Sequence, residues 1–227
     1  TRYNHQVRLS LLLALAMSLS AADKKIITPA NGVPPVGPYS PGILAGDYLY
    51  VSGQGAARPD GGFPDSAEEQ ARQCLANVRR IVEAAGLTME HVVYAQVYLK
   101  DLGSADAMNR AWREAFPKNP PARAVLSVYR MPTDTPVEIT VLALRDLARK
   151  QPVQVAGVGS ELAPAAILTQ DRLYFSGIPA KNGGVDTALD RMGDHYRKAF
   201  ALISSPEARR AFDLSREPAA VRERYGL

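Results

Sequence analysis

The stretch Asn119-Pro120-Pro121-Ala122-Arg123-Ala124-Val125-Leu126-Ser127-Val128 is the part of the chain around which the other elements can be arranged. Its two prolines lack a backbone N–H and favour an extended approach. The apolar run Ala124–Val128 is typical of a buried strand. Arg123 stands at the boundary, where a planar guanidinium can project into a cleft and hold a carboxylate through two hydrogen bonds. An ordinary surface arginine is the alternative.

The composition predicts a globular protein without a nucleic-acid footprint. The 227 residues suffice for one domain with an appendage or for two small domains. Hydrophobic residues make up 46% and charged residues 22%, which is typical of a packed core. The net charge is +4 and no dense Lys/Arg run occurs, so we expect no nucleic-acid partner. The single cysteine, Cys74, excludes an intrachain disulfide, and three scattered histidines disfavour a zinc site.

Residues 1–22 have the pattern of a secretory signal peptide. Arginines precede a largely apolar run, Leu9–Leu19, and the small residues Ser20, Ala21 and Ala22 follow it. We expect cleavage after Ala22 and a bacterial periplasmic or secreted location. Because the apolar run is short for a membrane span, we expect no stable span once the signal is removed.

Two helices are predicted from capping and periodicity. Ser66 and Glu69 form a capping box in front of an apolar stripe that contains Cys74, so we expect this thiol to be packed and inert. A second helix is predicted over Ser104–Phe116, with Ser104 as its cap. Large apolar side chains recur along that helix at helical spacing and indicate a core-facing stripe.

The remaining elements are strands, and their order predicts an α+β fold. Alternation and turn signals place strands at Lys24–Pro29, Ile43-Leu44, Tyr48–Ser52, Val92–Leu99 and Val137–Leu144, in addition to the Arg123 strand. One sheet with two helices on one face accounts for this order. Because the other face must meet a partner, we expect oligomerisation. Glu138 alternates away from the apolar side of its strand, so it lines either a solvated sheet edge or a pocket.

Separated motifs identify a family resemblance. They are, in chain order, Gly37-Pro38-Tyr39-Ser40, Val51-Ser52-Gly53-Gln54, Asn109, Pro121-Ala122-Arg123 and Val137-Glu138-Ile139. With these motifs, the range 23–149 resembles the RidA/YjgF family of reactive-intermediate (enamine/imine) deaminases. The resemblance implies a chorismate-mutase-like α+β fold and a homotrimer. The sheets of such a trimer close into a barrel-like core, with ligand clefts between subunits.

The resemblance also implies an activity and roles for five residues. By resemblance, Arg123 grips the substrate carboxylate, and Glu138 positions or activates water. Tyr39 helps to close the cleft, the backbone of Gly53 borders the ligand, and Asn109 matches an asparagine on the second helix. The implied reaction is that of a 2-iminobutanoate/2-iminopropanoate deaminase, which hydrolyses a 2-imino acid to a 2-keto acid and ammonia. Because imines hydrolyse spontaneously, positioning suffices and we expect no metal or organic cofactor.

Two positions depart from the family pattern and leave a second function open. Ala124 and Val125 stand where many active members have Ser or Thr and often Cys. The alternative is therefore a non-catalytic trimeric binding protein for small carboxylates on the same scaffold. Family members have also been credited with RNA cleavage, but this chain has no histidine or lysine constellation for it.

The last third of the chain repeats part of the first. Ile167–Gly177 aligns with Ile43–Gly53, and seven of the eleven pairs are identical. We assign 150–189 to a partial second RidA-like repeat, reached through a linker at Asp146–Gly157, and 190–227 to a helical tail of uncertain origin. Ala163-Pro164 replaces Tyr39-Ser40, so this copy should lack catalytic residues. We expect the tail from Asp146 to Leu227 to be mobile or loosely packed, because half a domain cannot bury its own hairpin.

Overall fold

A computed structural model describes residues 24–155 and 158–177. The predicted signal peptide and the predicted helical tail at 190–227 lie outside the described residues. None of the helices in the described part of the chain has the length and apolar character needed to cross a membrane.

The first part of the chain forms one mixed sheet and two helices, which confirms the predicted α+β class. The elements are β1 (Lys24–Ile27), β2 (Gly42–Ala45), β3 (Tyr48–Gly55), α1 (Ala67–Ala84), β4 (Val92–Leu99), α2 (Ala105–Ala115), β5 (Ala122–Ser127) and β6 (Val137–Leu144). The strand order is β1-β2-β3-β6-β4-β5. Only the β4–β5 pair is parallel among these neighbours, because α2 provides the crossover between its two strands.

The helices pack on one face of the sheet and bury the main core. Alternate strand residues such as Leu49, Ile139 and Val141 point to this face and are almost completely buried. Trp112 of α2 is also fully buried, and its ring lies 4.4 Å from that of Phe116, centroid to centroid. Cys74 lies in this core and its thiol donates to the carbonyl of Gln54 at 2.8 Å, as expected of a packed thiol.

The two helices begin differently, and one predicted cap is wrong. Ser66 accepts from the N–H of Glu69, while Glu69 reaches back to the N–H of Ser66, so the predicted capping box is confirmed. Ser104 has helical backbone angles and makes no capping hydrogen bond. A short 3-10 turn, Leu102–Ser104, precedes α2, and Asp101 accepts from Gly103 at its start. The turn removes the extended backbone that a capping serine requires.

Strands β7 (Gln151–Val153), β8 (Ala166–Leu168) and β9 (Leu173–Phe175) form a second sheet in the order β7-β8-β9. We call β8–β9 the second hairpin, because it has the same strand pairing as β2–β3, the first hairpin. Ile167 pairs with Tyr174 as Ile43 pairs with Tyr50 in the first hairpin. The expected linker at Asp146–Gly157 is not structureless, because β7 and a 3-10 turn lie within it.

This hairpin is docked, so the expectation of loose packing is wrong for its strands. Ile167 is fully buried with Tyr48, Val93, Ala122 and Leu144 on the sheet face opposite the helices. The hairpin therefore covers part of the face for which the sequence predicted a partner. Its apolar side is buried by the first domain rather than by a completed second one.

Candidate active site

An irregularity in β3 opens the sheet beside Glu138. Val51 pairs with Val141 and Gln54 with Ile139, so β3 has one more residue than β6 between these two pairs. Such a bulge bends the strand and leaves its extra residue without a ladder partner. Gly53 lies in the bulge, and a Cβ built on it would come 2.1 Å from a carboxylate oxygen of Glu138. Only glycine leaves room for that carboxylate.

A cavity of about 270 Å³ lies at this bulge. Tyr39, Gly53 and Glu138, three of the five predicted site residues, line it together. Tyr39 is 42% exposed and stands at the mouth in the predicted loop. The structure thus selects the pocket over the solvated edge for Glu138, while the chemical roles of the three residues remain predictions.

The carboxyl group of Glu138 lies in a partly desolvated position. Burial raises its pKa above the ordinary glutamate value of 4.5, because water stabilises the charged form less well there. Across residues 24–155 and 158–177, no basic side chain forms an ion pair with Glu138. The group is therefore able to take up and release a proton closer to neutral pH than an exposed glutamate.

Two buried polar residues that the sequence analysis missed fix the cavity wall. The side-chain amide of Asn77 on α1 donates to the carbonyls of Gly55 and Ala57, at 2.9 and 2.8 Å. The hydroxyl of Thr135 accepts from the N–H of Ala56 and donates to the carbonyl of Val137. The sequence could have indicated Asn77, because it is a polar residue three positions after Cys74 on the apolar stripe of its helix, where a buried side chain needs hydrogen-bond partners.

Arg123 lies in a different place, on the helix-covered face of β5. Its guanidinium carbon is 4.8 Å from the centroid of the Trp112 ring, a cation–π arrangement. Its Nη1 atom is buried and has no hydrogen-bond partner among the described residues. Burial, and secondarily the neighbouring Arg113, lowers the pKa of Arg123 to about 10. Asn109, the fifth predicted residue, lies one turn before Trp112 on α2 and is half-buried.

Within one chain, Arg123 and Glu138 cannot flank the same small substrate. They lie on strands that are separated by β4, since Ala95 pairs with both Arg123 and Val141. That separation is roughly 10 Å across the sheet, before the offset of three residues along β6 is added. In addition, Arg123 points to the helices whereas Glu138 points to the opposite face, because side chains alternate along a strand. The candidate residues therefore fall into two separate groups, one with Glu138 and one with Arg123, which we call the two candidate half-sites.

The fold and these two groups of residues describe an α+β protein with a small cavity beside Glu138 and a separate, partly buried arginine. The family model described as Endoribonuclease L-PSP matches residues 30–145, just over half of the chain. The chain belongs to this family, the RidA/YjgF family.

Curated relatives agree with this assignment over the same region. A RutC family protein of Pyrococcus horikoshii is 37% identical over 125 residues, which cover 54% of this chain and 99% of the relative. The 2-iminobutanoate/2-iminopropanoate deaminase of Escherichia coli is also 37% identical over 125 residues, covering 53% of this chain and 98% of the relative. The protein of the same name from Bos taurus is 34% identical over 129 residues, covering 56% and 94%.

Solved structures are similar over the same share of the chain. The YjgF gene product of Escherichia coli superposes with a TM-score of 0.52 at 36% identity, covering 54% of this chain and 99% of the other. TdcF of Escherichia coli, solved with bound serine, has a TM-score of 0.52 at 32% identity and covers 54% and 99%. The second hairpin and the residues that follow it are therefore additional to a complete family domain.

Proposed function

We propose that this protein hydrolyses small 2-imino acids to 2-keto acids and ammonia, using Arg123 of one copy of the chain and Glu138 of another. The observation that carries the proposal is the buried Nη1 of Arg123, which has no hydrogen-bond partner within the described part of the chain. Relatives named 2-iminobutanoate/2-iminopropanoate deaminase, at 34–37% identity, support the choice of reaction. Export to the bacterial periplasm or beyond, through residues 1–22, belongs to the same proposal.

Arg123 has the properties of a carboxylate-binding residue. A buried guanidinium nitrogen without a hydrogen-bond partner, such as Nη1 of Arg123, is costly because its lost hydration is not replaced. A substrate carboxylate would provide two charge-assisted hydrogen bonds and a compensating charge. Trp112 beneath the guanidinium holds its plane, so a bound carboxylate would fix the position of the adjacent C=N carbon.

Glu138 is suited to move protons around the attacking water. In its charged form the carboxylate accepts a hydrogen bond from water and takes a proton as the oxygen adds to the C=N carbon. Glu138 passes this proton to the imine nitrogen, so the tetrahedral adduct carries a hydroxyl and an amino group on one carbon. It then moves the hydroxyl proton to the amino nitrogen, so that the C–N bond breaks, ammonia leaves and the C=O bond of the 2-keto acid forms. Glu138 ends the cycle in its initial state.

The placement of the two residues supports association of several copies, for which we propose a homotrimer. Arg123 and Glu138 face opposite sides of one sheet, so both can reach one substrate only when they come from different copies. Tyr39 and Gly53 would accompany Glu138, because all three line one cavity. Asn109 would accompany Arg123, because Asn109 belongs to α2 and the guanidinium of Arg123 contacts Trp112 of the same helix.

An imine-trapping assay tests the proposal. An amino-acid oxidase generates a 2-imino acid, semicarbazide traps what remains, and the full chain is added over a range of concentrations. We expect faster loss of the imine, with a rate per chain that rises with chain concentration because the site needs two copies. Arg123→Ala should abolish the acceleration. Arg79→Ala, which removes an exposed arginine paired with Glu83 on α1, is the matched control and should keep it.

Equal rates for Arg123→Ala and the parent protein would show that the site assignment is wrong. The alternative, a binding protein for small carboxylates, is favoured by Ala124 and Val125 next to Arg123. It predicts Arg123-dependent binding of a 2-keto acid or serine in calorimetry, with no acceleration at any chain concentration.

A further inference from the structure

The second hairpin reproduces the first down to individual hydrogen bonds. The N–H of Ser52 donates to the carbonyl of Pro41, and the N–H of Ser176 donates to that of Ala165, both at 3.0 Å. The hydroxyl of Ser52 donates to the carbonyl of Ser40, and that of Ser176 to the carbonyl of Pro164. Each partner in the second hairpin is 124 residues after its counterpart in the first.

The end of the second hairpin is bound to the backbone of Arg123. The hydroxyl of Ser176 accepts from the N–H of Arg123 at 3.0 Å, and the N–H of Gly177 donates to the carbonyl of Arg123 at 2.9 Å. The ring of Tyr174 stacks on Tyr94 of β4 at 5.7 Å. The buried side chain of Ile167 completes the contact.

The residues of the second hairpin that make this contact are identical to the aligned residues of the first hairpin. Ile167, Tyr174, Ser176 and Gly177 correspond to Ile43, Tyr50, Ser52 and Gly53, all four identical. In the first hairpin, the side chains of Ile43, Tyr50 and Ser52 project on the sheet face opposite the helices and are not buried; the Tyr50 hydroxyl accepts from Arg172. The first hairpin of a second copy therefore presents the same contact surface.

We infer that the second hairpin is an intramolecular competitor for self-association: it occupies, beside Arg123, the place that the first hairpin of another copy of this chain would take. A first hairpin docked there would bring Gly53, and the Glu138 packed against it, to the strand that carries Arg123. The second hairpin brings Gly177 without such a glutamate, since Gly177 packs on Ala124 instead. In its docked state it keeps the two half-sites apart.

Tethering gives the second hairpin the advantage. A segment joined by a short connection competes at an effective concentration on the order of millimolar, whereas a second copy competes at its actual concentration. With similar contacts on both sides, the docked state prevails at micromolar chain concentration. The consequence for activity rests on the function proposed above, whereas the competition itself does not.

The test uses the full chain and two independent variants that undock the hairpin. Ile167→Glu places a charge in the apolar contact. Gly177→Val adds a side chain where even a Cβ would come 3.3 Å from the Cα of Ala124. Gln170→Glu, in the exposed turn of the same hairpin, is the control. Docking is followed by the emission of Trp112, the sole tryptophan, because its indole N–H donates to the carbonyl of Leu162 at 2.8 Å.

The expected mass at micromolar concentration is that of one chain, 24.5 kDa, for the parent and for Gln170→Glu. Both undocking variants should shift the emission of Trp112 and increase the mass to that of three chains, the homotrimer proposed above. Ile43→Glu, combined with Ile167→Glu, should restore the one-chain mass, because it alters the competing first hairpin.

Three results would overturn the inference: a parent already larger than one chain, undocked variants that remain at one-chain mass, or an emission that neither variant shifts. Imine hydrolysis is measured separately on the same samples. If the variants associate as expected yet hydrolyse no imine, the competition stands and the proposed activity is wrong. If the activity holds, half-maximal rate per chain should be reached at a chain concentration about tenfold or more below that of the parent.

Discussion

None of the basic side chains that the structure describes forms an ion pair with Glu138, so its carboxyl group can exchange a proton without breaking one. Its carboxylate contacts the bare Cα of Gly53, and partial burial alone raises its pKa. A basic partner would have lowered the pKa and weakened the group as a proton acceptor. The local structure therefore supports a group that changes charge during a reaction.

The first prediction at this scale concerns pH. In the proposed mechanism Glu138 holds water in its deprotonated form, so kcat/KM should fall as pH falls through the raised pKa, at a pH above the ordinary 4.5. Glu138→Gln should lower kcat/KM about 100-fold and remove this acid limb, while binding of a 2-keto acid is retained. A pH–rate profile that keeps its acid limb in Glu138→Gln would exclude Glu138 from the mechanism.

The second prediction concerns the space at Gly53. In Gly53→Ala the new methyl group would come 2.1 Å from a Glu138 oxygen, so the flexible carboxylate must move while the backbone stays. We expect kcat/KM to fall roughly 100-fold, with thermal stability nearly unchanged. Gly37→Ala is the control, because its Cβ would meet nothing closer than Tyr39 at 3.7 Å. Equal activity of both variants would contradict the role of the close approach.

The sequence predicted the direction of the Glu138 side chain but not that of Arg123. Alternation along β6 correctly predicted that Glu138 faces away from the helices. The face of the sheet to which Arg123 points was not predictable from the sequence. Pro120 and Pro121 disturb the alternation just before β5, and the second half of β5 is exposed, so the strand has no regular buried side. Thr135 could not be identified either, since its hydroxyl satisfies the bulged strand only after β3 and β6 have paired.

At the scale of elements, the starts of the two helices show what local sequence determines. Ser66 and Glu69 satisfy each other's backbone N–H groups, an interaction contained within four residues. Ser104 has the right residue type, but the 3-10 turn before α2 gives it helical backbone angles. Strand β7 escaped prediction for a related reason: a three-residue strand with Pro152 at its centre forms only because β8 pairs with it.

This contrast yields a matched pair of variants. Ser66→Ala should lower the free energy of unfolding by about 1 kcal/mol, because it removes a side-chain acceptor at the start of α1. Ser104→Ala should leave the free energy nearly unchanged, since the side chain of Ser104 makes no capping bond. Urea unfolding followed by circular dichroism measures both. Equal losses for the two variants would mean that the capping box contributes nothing specific.

At the scale of the whole molecule, the two hairpins join parts of the chain that are distant in sequence. The aromatic and apolar side chains around Ile167 come from β3, β4, β5 and β6, so no local pattern could have predicted their meeting. The repeat was visible in the sequence, and its internal register followed from the first copy. Its docking onto the uncovered sheet face depends on tertiary contacts alone.

Docking makes the hairpin part of the cooperative unit. Ile167→Ala should lower the free energy of unfolding by about 2–5 kcal/mol, the usual cost of truncating a fully buried isoleucine. Transitions followed by Trp112 emission and by far-ultraviolet circular dichroism should coincide in the parent. An early Trp112 transition, followed by the main unfolding step at the parent's midpoint, would show instead that the hairpin detaches first.

The burial of Cys74 makes the chain convenient for chemical labelling. The thiol is fully buried, donates to a backbone carbonyl, and has a pKa raised by burial, so it is shielded from alkylating reagents in the folded state. Because it is the sole cysteine, a second one introduced on the surface would take up a maleimide dye selectively. The slow modification of Cys74 itself would then time how often the core between α1 and the sheet opens.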